Sequence, residues 1–387
     1  MDFAFTDEQR QFRDALRDFV QREVMPVARD WEHSGRYPTE IVATMASMGL
    51  FGITVPEEYG GLDVDRVSFA LVFEEISRGW MGIAGILGSH SLSCWLIARH
   101  GTAEQKARHL PELSAGIRRT GVALTEPGAG TDLQGIRTVA RRDGDDYVVD
   151  GTKMWITNAR HADPLPVLVK TDPTTTPAHR GMSILLVDAD SAGYEVTRDI
   201  PKLGYKGTES CEVVLRGVRV PQANLLGGVE GRGLQQALSA LETGRINIAA
   251  RSVGIAQRAW EEALAYARQR TAFGQPIADF QAVQLQLANM ATRLQAARLM
   301  VYWSATRAGS NGRVDTESAM AKTFASEVAL ECAIDAMKIH GGYGYSTEYE
   351  VERLYRDAIL MSVGEGTNDV LRSVIAASLV RGDVRIG

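Results

Sequence analysis

The sequence predicts an α+β chain in three consecutive parts: helices, then strands, then helices again. Three observations predict it. Apolar residues recur at helical spacing up to about residue 115, and do so again from Gly231 onward. Between these stretches, residues 120–225 carry short strand-like runs separated by turn residues, with no helical period among them. The chain has 387 residues, enough for two or three domains, and at 45% hydrophobic and 23% charged it has an ordinary globular composition. The division expected is a helical domain over 1–118, an all-β domain over 119–228 and a second helical domain over 229–387.

The first part opens with Thr6 and Gln9 in capping-box spacing. Phe12, Leu16, Phe19, Val20 and Val24 then line one face as far as Pro26. The stretch "VPEEYGG" (55–61) reads as a turn, and an apolar helix follows around Val67 to Ile76. Residues 82–98 are small and apolar, with Gly82, Ala84, Gly85 and Gly88, which suits either tight helix packing or the close approach of a ligand.

In the middle part, "YVVDGTKMWIT" (147–157) places Asp-Gly between two strand-like runs, a strong hairpin signal. "LPVLVKT", "MSILLVDA", "YEVTRDI" and "CEVVLRGVRV" are further strands, so this part reads as a barrel or sandwich. In the last part, Val253, Ala256, Trp260, Ala263 and Ala267 make one helical stripe. Val283, Leu287, Met290, Leu294, Ala297 and Val301 make another, spaced as in a bundle. Phe324, Val328 and Cys332 mark a third helix that ends at "HGGYGY" (340–345). Thr367 and Asn368 then offer N-caps to a final helix containing Val370, Leu371, Val374, Ile375 and Leu379.

A net charge of −6 without a basic block argues against nucleic acid as the main partner. No apolar run in the sequence approaches the roughly 20 residues that span a bilayer, so no membrane partner is expected. The acidic start, residues 1–10, lacks the apolar core of an export signal. Cys94, Cys211 and Cys332 are far apart and show no metal or disulfide spacing, which fits a reducing, cytoplasmic setting. No cluster has metal-ligand spacing, and no motif suggests covalent catalysis.

Several stretches could carry chemistry. Glu365 stands between Gly364 and Gly366, just before a helix start. It is either a solvated loop acid or a base tuned between the helix dipole and burial. "ALTEPGAGTD" (123–132) leaves a strand as a glycine- and hydroxyl-rich loop that can approach an anionic or planar ligand, though a plain turn explains it as well. In "KMWITN" (153–158), Trp155 and Thr157 alternate to one face, suiting a stacked heterocycle or an ordinary buried strand. "RQRTAFGQPIADFQ" (268–281) interrupts two long helices with a polar turn, where Arg270 can serve a phosphate or a surface salt bridge. The turn "IHGGYGY" could likewise meet a pyrophosphate, with His340 equally readable as a packing residue.

Together and in this order, "VPEEYGG", "ALTEPGAGTD", "DGTKMWITN", "FGQPIADFQ", "IHGGYGY" with "VERLYRDA", and "GEGTNDVLR" resemble the acyl-CoA dehydrogenase family over nearly the whole chain. The resemblance implies an N-terminal helical domain, a middle β-barrel and a C-terminal four-helix bundle, assembled as a homotetramer with one FAD per subunit. It implies oxidation of the α,β bond of an acyl-CoA thioester to a trans-2-enoyl-CoA, with electrons passed to electron-transfer flavoprotein, as in fatty acid β-oxidation. By the same resemblance, Glu365 is the base that removes the α-proton. Leu124, Thr125, Gly130, Thr131, Trp155, Ile156 and Thr157 resemble contacts to the flavin and its phosphates. Arg270, Phe273, Gln281, Lys338, Ile339, Gly341 and Gly342 resemble contacts to the FAD of a neighbouring subunit. Thr367, Asn368 and Asp369 resemble a helix start that meets the cofactor. Thr131, Glu242, Arg245, Gly364 and Gly366 resemble residues at the substrate.

Three positions depart from the family pattern. Lys338 stands where glutamine is usual, Gly364 replaces an aromatic residue, and Gly244 stands where isovaleryl-CoA dehydrogenases place an alternative base. Two other readings stay open: a flavin oxidase or monooxygenase on the same fold, and a non-catalytic acyl-CoA-binding homologue.

Overall fold

The computed structural model describes residues 4–308 and 314–383. Helix α1 (Asp7–Phe19) begins at the expected capping box: Gln9 N donates to Thr6 Oγ1 at 3.1 Å, and Thr6 N donates back to Gln9 Oε1 at 3.1 Å. Pro26 does not end this segment as expected. One π turn (Val20–Val24) intervenes, and α2 (Met25–Ser34) starts afresh with the proline in its first turn, where a missing N–H leaves nothing unsatisfied. After α3 (Thr39–Ser47), the 55–61 turn contains a single 3-10 turn closed by Gly60 at φ 82°.

Helices α4 (Arg66–Gly79) and α5 (Met81–His100) form the centre of the helical core, and α6 (Ala103–Ser114) completes this part. Contrary to the expectation from sequence, α5 is long and apolar enough to cross a membrane, with 20 residues at mean hydropathy 1.4. Its apolar window is 83% buried inside the protein, which makes it a core helix. Protein groups fill the space beside its glycines. A Cβ on Gly85 would fall 1.6 Å from Tyr205 Oη, and one on Gly88 would fall 2.3 Å from Asn247 Nδ2.

The middle part is one curled six-stranded sheet in the order β4-β3-β1-β2-β6-β5. Its strands are β1 (Val139–Asp143), β2 (Asp146–Ile156), β3 (Leu165–Lys170), β4 (Met182–Val187), β5 (Tyr194–Asp199) and β6 (Cys211–Pro221). The hairpin expected at Asp150-Gly151 is not there. Strand β2 runs straight through both residues, and the β1–β2 turn lies at Asp143–Asp146, with Gly144 at φ 65°. Gly151 instead marks a bulge against β6, where Thr138 lies over it: a Cβ would sit 2.2 Å from Thr138 Oγ1.

The last part holds α7 (Gly233–Gln269), a ribbon of β7 (Thr271–Ala272) and β8 (Gln275–Pro276), α8 (Gln281–Ala308), α9 (Asp315–His340), α10 (Val351–Val363) and α11 (Asn368–Arg381). Helices α8 and α10 pack on α7 and α9, and α11 lies on α9. The first two predicted stripes face the core, with Trp260, Val283 and Leu287 only half-buried. Phe324 is 37% exposed, because the buried stripe of α9 runs one position on, through Ala321, Ala325, Val328 and Cys332.

Candidate active site

The loop from α10 to α11 presents the isolated carboxylate. Gly364 has ordinary extended geometry (φ −68°, ψ 149°), while Glu365 (φ 53°) and Gly366 (φ 97°) are both left-handed. That conformation costs a non-glycine residue roughly 1–3 kcal/mol, so something must hold it. Thr367 caps α11 by accepting from Val370 N at 3.4 Å. Lys322, fully buried on α9, donates from Nζ to Gly366 O at 2.8 Å and to Asn368 Oδ1 at 2.9 Å. Asn368 also bonds Ser326 and Glu327, so its side chain is committed inside the protein. Asp369 is the exposed residue of this helix start.

Glu365 reaches toward α7. The residue as a whole is only half-buried, but its Oε2 is sealed from solvent and has no hydrogen-bond partner among the described residues. That oxygen occupies the place a side chain on Gly244 would need: a Cβ there would stand 1.8 Å from Oε2 and 2.8 Å from the carboxyl carbon. Burial pushes the Glu365 pKa above the usual carboxylate range, while Arg251, Lys322 and Arg245 pull against it. Lys322 is itself brought down to about 8, chiefly by burial. Arg245 pairs with Asp315 at 3.2 Å, and Glu242 Oε1 accepts from Val314 N at 2.8 Å, so both tie α7 to the start of α9.

A second group gathers at the end of β2. Buried Lys153 donates to Leu124 O at 3.1 Å and to Glu126 Oε1 at 2.9 Å, and Met154 N donates to Thr125 O at 2.9 Å. These bonds fix the 124–126 backbone against the strand, with Gly130 and Thr131 exposed beyond it. The expected alternation of Trp155 and Thr157 fails. The register with β6 shifts between Lys153 and Ile156, and Trp155 is left-handed at φ 66°. Its side chain is thereby turned outward, 52% exposed, while Ile156 enters the sheet core and Thr157 lies past the strand end. Ile156 can meet a ligand only through its backbone.

A third group lines a surface groove of about 640 Å³: Arg270, Ile339, Gly341 and Gly342, with Tyr266 and Tyr343. The Arg270 guanidinium lies over the Tyr343 ring, 5.8 Å from its centroid, and has no carboxylate partner among the described residues. His340 stacks on Tyr266 at 4.1 Å with Nδ1 2.8 Å from Ala336 O, which makes it a packing residue. Lys338 pairs with Asp335 at 3.7 Å. Phe273 is 97% exposed, and Gln281 is exposed at the start of α8.

Comparison with known proteins gives the family to which this chain belongs. Residues 6–117 match the acyl-CoA dehydrogenase N-terminal domain, 121–218 its middle domain and 231–380 its C-terminal domain. A probable acyl-CoA dehydrogenase of Bacillus subtilis is 42% identical over 383 residues, 98% of this chain and 100% of its own. A caffeyl-CoA reductase–Etf complex subunit of Acetobacterium woodii is 38% identical over 97% of this chain and 99% of its own. Among solved structures, butyryl-CoA dehydrogenase from Megasphaera elsdenii superposes with a TM-score of 0.95 at 35% identity, covering 98% of this chain and 100% of that one. The chain belongs to the acyl-CoA dehydrogenase family. It is an FAD-dependent oxidoreductase acting on acyl-CoA.

The residues present fit that cofactor. Trp155 is an outward aromatic plane on a fixed strand end, and Arg270 is a groove cation without a counter-ion among the described residues. Beside Arg270, a Cβ on Gly341 or Gly342 would meet nothing within 4 Å, so backbone is open to a phosphate there. Sequence reasoning missed Lys322, Arg251 and Asn247. The available signal was a basic side chain within a run of small and apolar helical residues, "INIAARSVGIA" for Arg251 and "SAMAKTFAS" for Lys322.

Proposed function

We propose that this enzyme oxidises the Cα–Cβ bond of an acyl-CoA thioester to the trans-2-enoyl-CoA, with Glu365 removing the α-proton. FAD supplies the acceptor for the β-hydride. What supports Glu365 is one observation: its Oε2 is enclosed, unpartnered among the described residues and aimed into space that Gly244 leaves open. Burial raises its proton affinity above the usual carboxylate range, the direction a general base needs, while Arg251, Lys322 and Arg245 pull the other way. The left-handed turn at Glu365 and Gly366 fixes the carboxylate before substrate arrives, so little reorganisation accompanies proton transfer. Gly364 and Gly366 leave no side chain beside the acid to collide with an acyl chain. The Glu365 N–H is the donor to the thioester oxygen, where charge builds as the proton leaves.

Electrons pass onward to electron-transfer flavoprotein in this reading, supported by the Acetobacterium relative's place in an Etf complex. A homotetramer is part of the proposal. The exposed Phe273, Leu285 and Val380 are apolar surface of the kind subunit contact covers, and in this reading the solvent-facing Arg270 and Gln281 complete a neighbour's FAD site. Cytoplasmic residence belongs to the same proposal, supported by three free, buried cysteines.

The test is Glu365→Gln. The amide keeps the shape of the side chain but cannot take the proton, and removal of a general base commonly costs on the order of 10²–10⁴ in rate. The variant is expected to retain FAD and bind acyl-CoA while flavin reduction, followed by anaerobic stopped flow, collapses. Reduction at close to the wild-type rate overturns the assignment.

A further inference from the structure

The face of α7 turned to Glu365 carries more polar atoms than the reaction just described uses. Four polar atoms here are buried without a hydrogen-bond partner among the described residues: Glu365 Oε2 opposite Gly244, Arg245 Nε beside it, Asn247 Oδ1 and Arg251 Nε. Gly244, Asn247 and Arg251 follow one another at i, i+3 and i+7, so they share one helix face. Seven residues rise about 10 Å, and long side chains on a helix lean back toward its N-terminus. The Arg251 side chain therefore leans toward Gly244 and Glu365. Consistent with that lean, Arg251 is the charge that acts most strongly on Glu365, second only to the effect of burial.

Arg251 is 4% exposed, and no carboxylate pairs with it among the described residues. Its guanidinium lies over the Tyr205 ring at 5.4 Å, and its side chain donates from Nη2 to Met81 Sδ at 2.7 Å, a weak acceptor. A buried guanidinium left without an anion is costly, and a fold that retains one has a use for it. The local charges point the same way. Arg245, Lys322 and Arg251 surround one carboxylate, and among the described residues only Arg245 of the three has an ion-pair partner, Asp315. Glu327 acts on Lys322 as well, which leaves Arg251, among the described residues, as the cation of the three with no carboxylate besides Glu365 acting near it.

We propose that Asn247 and Arg251 form the far end of the acyl cavity and select acyl-CoA substrates whose short chain bears a second carboxylate. This rests on the assignment of Glu365 as the base, which puts the reacting carbons at Gly244 and sends the chain along this face. The guanidinium offers a carboxylate two parallel N–H donors, and the Asn247 amide adds a third when its NH2 group, rather than its oxygen, faces the ligand.

The experiment uses the FAD-loaded enzyme and two substrate series of equal length: C4 and C5 dicarboxylic monothioesters of CoA, and the uncharged straight-chain acyl-CoAs. Wild type is expected to show the higher kcat/KM on the carboxylated series. Arg251→Gln should reverse that preference, with a selective loss on the order of 100-fold on the charged series. Arg251→Lys, which keeps the charge but not the fork, should fall between. Equilibrium binding to Glu365→Gln, measured by calorimetry, gives a readout without turnover, and tighter binding of the carboxylated series is expected there too. A wild type that favours uncharged chains in both assays overturns the proposal. So does an Arg251→Gln variant that loses both series equally, which assigns Arg251 to balancing Glu365 alone. Turnover by Glu365→Gln would instead overturn the base assignment, and the binding preference would still be read independently of it.

Discussion

Gly244→Ala adds one methyl group at the point where it does most harm. Its carbon would lie 1.8 Å from Glu365 Oε2 and 2.8 Å from the carboxyl carbon, whereas carbon and its neighbours pack at about 3.5 Å. Helix α7 is packed against α4 and α9, so its backbone has little room to yield, and the carboxylate must withdraw by about 1.5 Å to restore ordinary contact. A misplacement of about 1 Å in a reacting group can cost on the order of 100-fold in rate, and that is the loss expected in flavin reduction. Stability should not fall with it. Alanine in a helix interior is favoured over glycine by up to about 1 kcal/mol, so the denaturation midpoint should hold or rise. Anaerobic stopped flow and a denaturant titration on the same preparation separate the two quantities. A reduction rate within about threefold of wild type would refute the reasoning, because the base would then be working from somewhere other than the pocket beside Gly244.

Gly364→Tyr should fold, since φ −68° is open to any residue and a Cβ there meets only Leu360, at 3.3 Å from its carbonyl oxygen. If the gap serves bulky or branched acyl groups, kcat/KM falls far more on those than on straight chains; equal losses on both count against it. Arg270→Ala should weaken FAD retention, measured by equilibrium dialysis. The unfolding free energy of the apoprotein should stay within about 1 kcal/mol of wild type, because the side chain lies in an open groove and makes no ion pair among the described residues. Unchanged FAD affinity would remove Arg270 from the cofactor site.

The order of helices and strands was legible because burial imposes its period on the residues that line the core. Val253 to Ala267 and Met290 to Val301 are stripes that any helix packed on its neighbours must carry. What escaped was decided by single contacts across the chain. Asp150-Gly151 is a strong local turn signal, yet the glycine is needed because Thr138 covers it, a fact no short window around residue 151 contains. Trp155 leaves its expected face because a bulge against β6 breaks the period of two. Pro26 follows a π turn that puts it in the first turn of a new helix, where a residue that stops helices is tolerated. At the site, Glu365 stood out through its glycines. The buried cations around it did not, because Lys322 and Arg251 are far from it along the chain and only folding brings them to it.

The clamp at Lys322 ties the Glu365 loop to α11. One ammonium holds both the carbonyl of Gly366 and the side chain of Asn368, the first residue of that helix. The helix lies on the surface, with Leu379 and Val380 exposed. Its hold on the molecule is modest, yet its first turn is part of the scaffold that keeps Glu365 in its left-handed pose. Damage to this helix, whether by clipping or by fraying, is therefore expected to disturb the Glu365 loop before the core registers it. In this fold α11 anchors the Glu365 loop more than it anchors the core.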